Sequence, residues 1–258
     1  MTRYRFVCPV FLYSVVALAA PFPVSAQNIY GVALFQKMQR ALGGEHNIAA
    51  VHDFEEQIHG NMFDAKGKPL GEADKRIRWI RPNYLRLDQI GPFNTYALYF
   101  DGTRGWEILP DKSFKRLVGS ELKFAQDYLR NFDLNVYLRN RDPRYRITSP
   151  EPNIVHIERI DDPSDAEDIF LDPITGLPLR NGSLAPPDNK HPHTSGMRFE
   201  AWTTVDGVKF ASQRADFHDG ARLAEITSNF ITVNGRLKAA DLALKPDDLK
   251  PVLRKVSK

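Results

Sequence analysis

The chain has 258 residues, with 35 lysines and arginines against 32 aspartates and glutamates, and 42% of its residues are hydrophobic. A formal net charge of +3, with both signs spread along the chain, argues against nucleic acid as a partner. The single cysteine, Cys8, leaves no pair for a disulfide, so the fold depends on burial alone.

Residues 1–26 have the layout of a secretory signal peptide. A basic head precedes the apolar run FVCPVFLYSVVALAA, and the segment ends on the small residues Val24-Ser25-Ala26. The apolar run is too short to cross a bilayer with these flanks. A small buried helix or a retained anchor is the alternative interpretation. We therefore expect export to the periplasm and a mature chain of residues 27–258, without a lipid anchor, that forms one domain.

Two segments have the periodicity of helices. In NIYGVALFQKMQRAL, from Asn28 to Leu42, apolar residues recur at helical spacing, and Gly43-Gly44 follows as a stop signal. The segment between Leu117 and Asn140 predicts a second helix or a helical pair that interrupts the strands. Each has an apolar face that needs a partner surface.

The rest of the mature chain reads as short strands. The pattern alternates between polar and apolar residues, and the strands are separated by Asp-Gly, Asn-Gly and proline turns. This predicts about 11 antiparallel strands in a meander. A meander of that length must curl or close to hide its edges, so the fold class is α+β, with the helices lying against a curved sheet.

Large apolar residues occupy one side of the predicted sheet, whereas Arg78, Arg86, Asp88 and Glu107 occupy the other. The apolar side includes several aromatic residues, and it has two interpretations. It is either an ordinary packed core or the lining of a cavity that receives a ligand. The volume of the interior distinguishes them, because a void of several hundred Å³ is typical of ligand pockets.

No motif of covalent chemistry appears in the sequence. The chain contains no Gly-x-Ser-x-Gly elbow, no phosphate-binding loop and no His-Glu-x-x-His. His191-Pro192-His193 could be half of a zinc site, but ligands to complete it are missing, and a polar loop within Ser183–Gly196 is the better interpretation. We expect no enzymatic activity, no metal and no cofactor, with a hydrolase as the third choice of function.

Two charged stretches are candidate binding sites. The acidic stretch from Ile160 to Phe170 lacks the spacing of a calcium loop and is interpreted as a solvated hairpin loop. The basic stretch from Arg139 to Arg146 could receive a lipid phosphate or an acidic partner surface, because guanidinium groups suit both. A solvated helix end followed by a strand is its alternative interpretation.

Several motifs, in this order, resemble the periplasmic lipoprotein-carrier superfamily of LolA/LolB-like proteins. They are WIRPN, YFDGTRGWEILPD, FLDPITGLPLR, TTVDGVKF and FITVNGRLKAADLALKPDD. The resemblance implies an unclosed, half-open antiparallel β-barrel whose helices form a lid over a hydrophobic cavity for acyl chains. It also implies that Arg81, before Pro82, latches the lid to the barrel, although Trp79 precedes Arg81 by one residue fewer than in the carriers.

These observations lead to one hypothesis and one alternative. The hypothesis is a monomeric periplasmic carrier or sensor of a lipid or lipid-modified protein, with sorting components of the inner and outer membranes as possible partners. The candidate cargo-contact residues are Leu34, Phe35, Met38, Trp79, Leu87, Leu98 and Trp106. The alternative is a non-enzymatic interaction or regulatory module with a filled barrel core.

Overall fold

The computed structural model describes residues 24–91, 95–108, 113–182 and 195–243. Nearly all of the expected signal peptide lies outside these ranges, and so does the loop with His191 and His193. Within them, no helix combines the length and the apolar character that crossing a membrane requires.

Thirteen antiparallel strands form one unclosed sheet. In chain order they are β1 (Asp53–Phe63), β2 (Pro69–Ile80), β3 (Tyr84–Ile90), β4 (Thr95–Phe100), β5 (Gly105–Ile108), β6 (Phe114–Arg116), β7 (Tyr145–Thr148), β8 (Ile154–Arg159), β9 (Asp162–Leu171), β10 (Pro178–Gly182), β11 (Ser195–Val205), β12 (Val208–His218) and β13 (Ala221–Val233). Each strand pairs with the next one in the chain, except that β6 does not pair with β7. In addition β1 pairs with β13, so β6 and β7 are the two edges of the sheet.

The hairpin turns explain part of this pairing. Asp206-Gly207 joins β11 to β12, and Asp219-Gly220 joins β12 to β13. All four residues have positive φ, as the tight turn of a twisted hairpin requires. The Asp-Gly pairs therefore fix two of the connections that the sequence predicts.

The helices lie at three places in the chain. They are α1 (Val24–Ala41), α2 (Glu45–Ala50), α3 (Gly119–Arg130), α4 (Asp133–Val136) and α5 (Ala239–Leu242), with a 3₁₀ turn at Arg139–Arg141. The segment with α3, α4 and the 3₁₀ turn connects the two edge strands β6 and β7. α1 packs against β7 and β8, and a Cβ on Gly31 would lie 2.4 Å from the carbonyl carbon of Thr148, so this close approach requires glycine.

The sheet has thirteen strands where the sequence predicts about eleven, because the sequence pattern does not reveal the two edge strands. β6 has three residues and β7 has four, which is too short for alternation to be visible.

The acidic stretch is a strand, not the solvated loop that the sequence indicated. It forms most of β9, and basic residues compensate its charge. Asp165 lies 3.0 Å from Arg130 and 3.3 Å from Arg159, and Asp168 lies 2.7 Å from the His156 ring. Since these partners come from α3 and β8, the sequence alone could not show that the acids would be paired.

Both sides of the sheet are partly covered. On one side, α1 and the α3–α4 segment contribute to the main apolar cluster. On the other side, α5 covers β3, where Asp88 pairs with Arg78 at 2.7 Å and with Arg86 at 2.9 Å. These three polar residues, which alternation placed opposite the apolar wall, are therefore buried beneath the C-terminal part of the described chain.

Candidate functional site

The apolar wall of the inner side of the sheet is built by strand register. Trp79 lies opposite Leu85, which lies opposite Phe100, and Leu87 lies opposite Leu98. Paired residues, and residues two apart on one strand, point to the same face of a sheet. These five side chains therefore form one continuous surface across β2, β3 and β4.

Six of the seven candidate cargo-contact residues meet on this inner side. The main cluster contains Leu34, Phe35, Met38, Trp79, Leu87 and Leu98. The first three come from α1, which packs along the edge formed by β7 and β8, while the other three come from the wall. The hypothesis that a first helix and a sheet wall face each other agrees with these positions, although the cargo role itself stays a prediction.

Trp106 does not join them. It pairs with Tyr99, the neighbour of Leu98, so it points to the opposite face, and its ring stacks on that of Tyr99 at 5.8 Å. Both belong to a second cluster that includes Leu242 of α5. The sequence pattern predicts that Trp106 of β5 points to the same face as Leu98 of β4. In the observed register Glu107, not Trp106, lies opposite Leu98, so Trp106 points to the other face.

The six clustered residues are closely packed. Phe35, Met38, Trp79 and Leu87 are fully buried, and Leu98 is 4% exposed. The ring of Phe132, between α3 and α4, lies 5.3 Å from that of Trp79. The indole Nε1 of Trp79 has no hydrogen-bond partner among the described residues, which is unusual for a buried donor.

An open pocket reaches this cluster beneath α3. It has a volume of about 400 Å³, and its apolar lining consists of Tyr96, Leu98, Leu117 and Phe124. α3 directs Ala125 and Leu129 inward, whereas Phe124 is 49% exposed at the pocket. Leu98 is thus the one candidate cargo-contact residue that lines this pocket.

Arg81, the candidate lid latch, connects the sheet to the end of α2. Its Nε donates to the carbonyl oxygen of Val51 at 3.0 Å, and its Nη2 donates to that of Ile48 at 3.4 Å. The guanidinium also lies 4.8 Å from the Trp79 ring centre. Burial, and secondarily the charge of Arg141, lowers the pKa of Arg81. Because α2 directly follows α1, these contacts hold the helical pair against the sheet.

The basic stretch is largely compensated by acids. Arg139 pairs with Glu167 at 3.2 Å, Arg144 pairs with Asp142 at 2.6 Å, and Arg141 pairs with Glu45. These ion pairs neutralise the arginines that the sequence made candidates for binding a lipid phosphate.

Sequence reasoning missed a group of polar side chains on the inner side, which we name the interior polar cluster: Glu56, Lys75, Tyr128, Asp133, Arg214 and Ser228. Arg214 pairs with Glu56 at 2.5 Å and approaches the Ser228 hydroxyl at 3.2 Å. Glu56 also accepts a hydrogen bond from Ser228. Lys75 places its Nζ 4.8 Å from the centre of the Tyr128 ring.

Burial changes the ionisation of this cluster. It lowers the pKa of Lys75 to about 8, with the charge of Arg214 as the second cause. It raises the pKa of Asp133 to about 6, against the opposing influence of Arg214. It also raises the pKa of Tyr128 far above its ordinary range. Groups whose ionisation is shifted by burial are frequent at functional sites.

The described parts of the chain bring no three histidine, cysteine, aspartate or glutamate side chains together as metal ligands. The candidate histidines at 191 and 193 lie outside those parts.

Comparisons with known proteins bear on the fold. By sequence, the chain matches neither a protein-family profile nor a curated protein. By structure, it is similar to a DUF1329 family protein from Desulfovibrio piger, with a TM-score of 0.57 and 15% identity over 83% of this chain and 97% of that one. It is also similar to an outer membrane lipoprotein-sorting protein domain from Vibrio parahaemolyticus, with a TM-score of 0.53 and 15% identity over the same shares of the two chains.

A third similar structure is a LolA superfamily protein from Nitrosomonas europaea. Its TM-score is 0.52 at 9% identity, over 83% of this chain and 97% of that one. Likeness at these identities shows the fold and not the function. The chain has a LolA-like fold, as the resemblance in its motifs predicts.

Proposed function

We propose that this protein is exported to the periplasm and that it binds acyl chains of a lipid or lipid-modified protein, as a carrier or sensor without covalent chemistry. The observation that carries the proposal is the open pocket of about 400 Å³ beneath α3, which Leu98 of the apolar wall helps to line. The LolA-like fold supports it, because two of the similar structures are described as a lipoprotein-sorting domain and a LolA superfamily protein.

Capture in this proposal requires the helices to move. The six residues are already buried in one apolar cluster, so an acyl chain gains room when α3, or α1 with α2, separates from the wall. Each methylene transferred from water to this surface contributes about 0.8 kcal/mol, which offsets the apolar contacts that the helices give up. Release is the reverse movement, and transfer partners in the inner and outer membranes would promote it.

A second candidate function is an interaction module whose core stays filled. The close packing of Phe35, Met38 and Trp79 favours it, since all three are fully buried. In that case the outer surface would dock a partner, and no lipid would enter.

Native mass spectrometry distinguishes these two functions. The mature protein is purified from the periplasm without detergent, and its lipids are extracted in parallel. Adducts with the mass of a phospholipid or an acylated peptide would support the carrier. A clean mass of the protein alone under gentle conditions, in the wild type and after incubation with lipid, would overturn it in favour of the docking module.

Phe124→Ala is expected to weaken binding of an acyl chain about tenfold, the equivalent of about 1.4 kcal/mol of lost apolar contact. Phe124 lines the pocket and is half exposed, so its removal should leave the fold unchanged. Ile174→Ala is the matched control, because Ile174 is 88% exposed in the turn before β10. Titration with a fluorescent fatty acid measures both; equal affinities in the two variants would contradict the pocket's role.

Arg81→Leu is expected to accelerate release of cargo roughly tenfold while the fold stays intact. The substitution removes the hydrogen bonds to Val51 and Ile48, and each such bond contributes about 1 kcal/mol to holding α2. Arg81→Lys keeps a cation near Trp79 but loses the two-pronged geometry, so its release rate should be intermediate. Stopped-flow displacement of a bound fluorescent lipid gives the rates. An unchanged rate in Arg81→Leu would remove the latch role.

A further inference from the structure

Lys75 is a partly buried cation that has no anionic partner among the described residues. Its ammonium lies over the Tyr128 ring, and among the described residues it makes no ion pair and no hydrogen bond. Two other arginines with little exposure differ, because Arg214 pairs with Glu56 and Arg139 pairs with Glu167. An ammonium that has lost part of its contact with water is usually paired with a carboxylate, so this arrangement needs an explanation.

The electrostatic surroundings of Lys75 favour an anion. Arg214 lowers the pKa of Lys75 more than Glu56 raises it, so the nearby ion pair acts on Lys75 as a net positive neighbour. The buried Nε of Arg214 also has no acceptor among the described residues. The other acid of the interior polar cluster is Asp133. Its charge raises the pKa of Arg214 and is not among the causes that shift the pKa of Lys75.

Lys75 lies where it could bind the head group of a lipid whose acyl chain lies on the apolar wall. It lies opposite Ile58 on β1 and opposite Gln89 on β3, and Ile77 follows it on the same face toward Trp79. Gln89 in turn lies opposite Tyr96, which lines the open pocket beneath α3. Lys75 therefore lies at the border of the apolar wall, in one cross-strand row with Gln89 and with Tyr96 of the pocket.

We infer that Lys75 binds the anionic group, a carboxylate or a phosphate, of an amphiphile whose hydrocarbon chain lies along Leu87 and Leu98. This rests on the proposed function, because the chain must enter the inner side of the sheet. Burial of a hydrocarbon chain alone would not require a charged ligand, whereas binding to Lys75 does. The inferred ligand class is therefore an anionic single-chain lipid or an anionic phospholipid.

The test uses three probes with the same twelve-carbon chain: dodecanoate, dodecyl phosphate and the uncharged dodecanol. Calorimetry gives the affinity of each for the whole mature protein at pH 7. We expect the wild type to bind at least one anionic probe tenfold or more tightly than dodecanol. A preference for dodecyl phosphate over dodecanoate would indicate a phospholipid head group, and the reverse preference would indicate a fatty acid.

Lys75→Met should remove that preference and change dodecanol affinity less than threefold. Lys66→Met is the control, since Lys66 is exposed in the turn between β1 and β2 and should affect none of the probes. An unchanged anion preference in Lys75→Met would overturn the inference. Equal binding of all three probes to the wild type would overturn it while leaving the proposed function standing, whereas no binding of any probe would remove both.

The pH dependence gives an independent readout. The groups that face Lys75 are Glu56 from β1, Gln89 from β3, Tyr128 from α3 and Arg214 from β12. Burial lowers the pKa of Lys75 to about 8, so its positive charge, and with it the anion preference, should fade as the pH rises past about 8. The bound anion itself moves this midpoint upward. A wild-type preference that stays flat to pH 10, or one that fades equally in Lys75→Met, would contradict the assignment.

Discussion

Trp79→Ala is expected to lower the free energy of unfolding by about 3–5 kcal/mol, the usual cost of deleting a large buried aromatic side chain. Trp79 is fully buried and contacts the Phe132 ring at 5.3 Å, so it joins the sheet wall to the segment between α3 and α4. Its loss leaves a cavity at the point where helices and sheet meet. Urea unfolding followed by circular dichroism measures the difference from the wild type.

Trp106→Ala is the matched control. Trp106 is half-buried in the smaller cluster with Tyr99 on the opposite face of the sheet, so the same substitution should cost clearly less. Equal losses at both positions would contradict the assignment of Trp79 to the main core and Trp106 to a peripheral one.

Trp79→Phe separates packing from hydrogen bonding. Phenylalanine keeps an aromatic ring and removes the indole Nε1 donor, which has no partner among the described residues. Because an unsatisfied buried donor costs about 1–3 kcal/mol, we expect this variant to lose less than about 2 kcal/mol. If the donor serves an ester or amide carbonyl of cargo, Trp79→Phe should weaken binding of an acylated peptide while the fold survives.

The sequence predicted the strands well where their pattern was local. Alternation and Asp-Gly turns marked the strands from β1 to β5, β8, the second half of β9 from Ala166, and the strands from β10 to β13, because each of them pairs with a chain neighbour. The edge strands β6 and β7 were missed, since three or four residues carry too little pattern to be seen. Local signals thus predicted the meander but not its ends.

The candidate site was predictable only in its apolar half. Phe35, Leu87 and Trp79 belong to long stretches whose period shows which side is buried. The pairing of Glu56 with Arg214 joins residues 158 positions apart, and it depends on β1 lying beside β13. A lone arginine on a strand normally indicates a solvent-facing position, so no pattern in the sequence distinguished Arg214 from its exposed counterparts.

Arg214→Met is expected to lower the free energy of unfolding by about 3–5 kcal/mol, because removing one partner of a buried ion pair leaves the other charge uncompensated. Glu56 is 3% exposed in its side chain and would keep only the hydrogen bond from Ser228. Arg222→Met is the matched control on the neighbouring strand. Arg222 pairs with Glu200 at 2.7 Å near the surface, where water screens the charges, so its loss should be far smaller.

The double variant Glu56→Leu/Arg214→Met shows what the pair contributes. Replacing both partners of a buried ion pair by apolar residues of similar size is often neutral or stabilising, so most of the loss in Arg214→Met should be recovered. Recovery of stability together with loss of dodecanoate or dodecyl phosphate binding would mean that these charges serve ligand recognition, because an apolar interior would then hold the fold equally well. A double variant as unstable as Arg214→Met would instead assign the interior polar cluster to holding the strands together, and the inferred head-group site would depend on Lys75 alone.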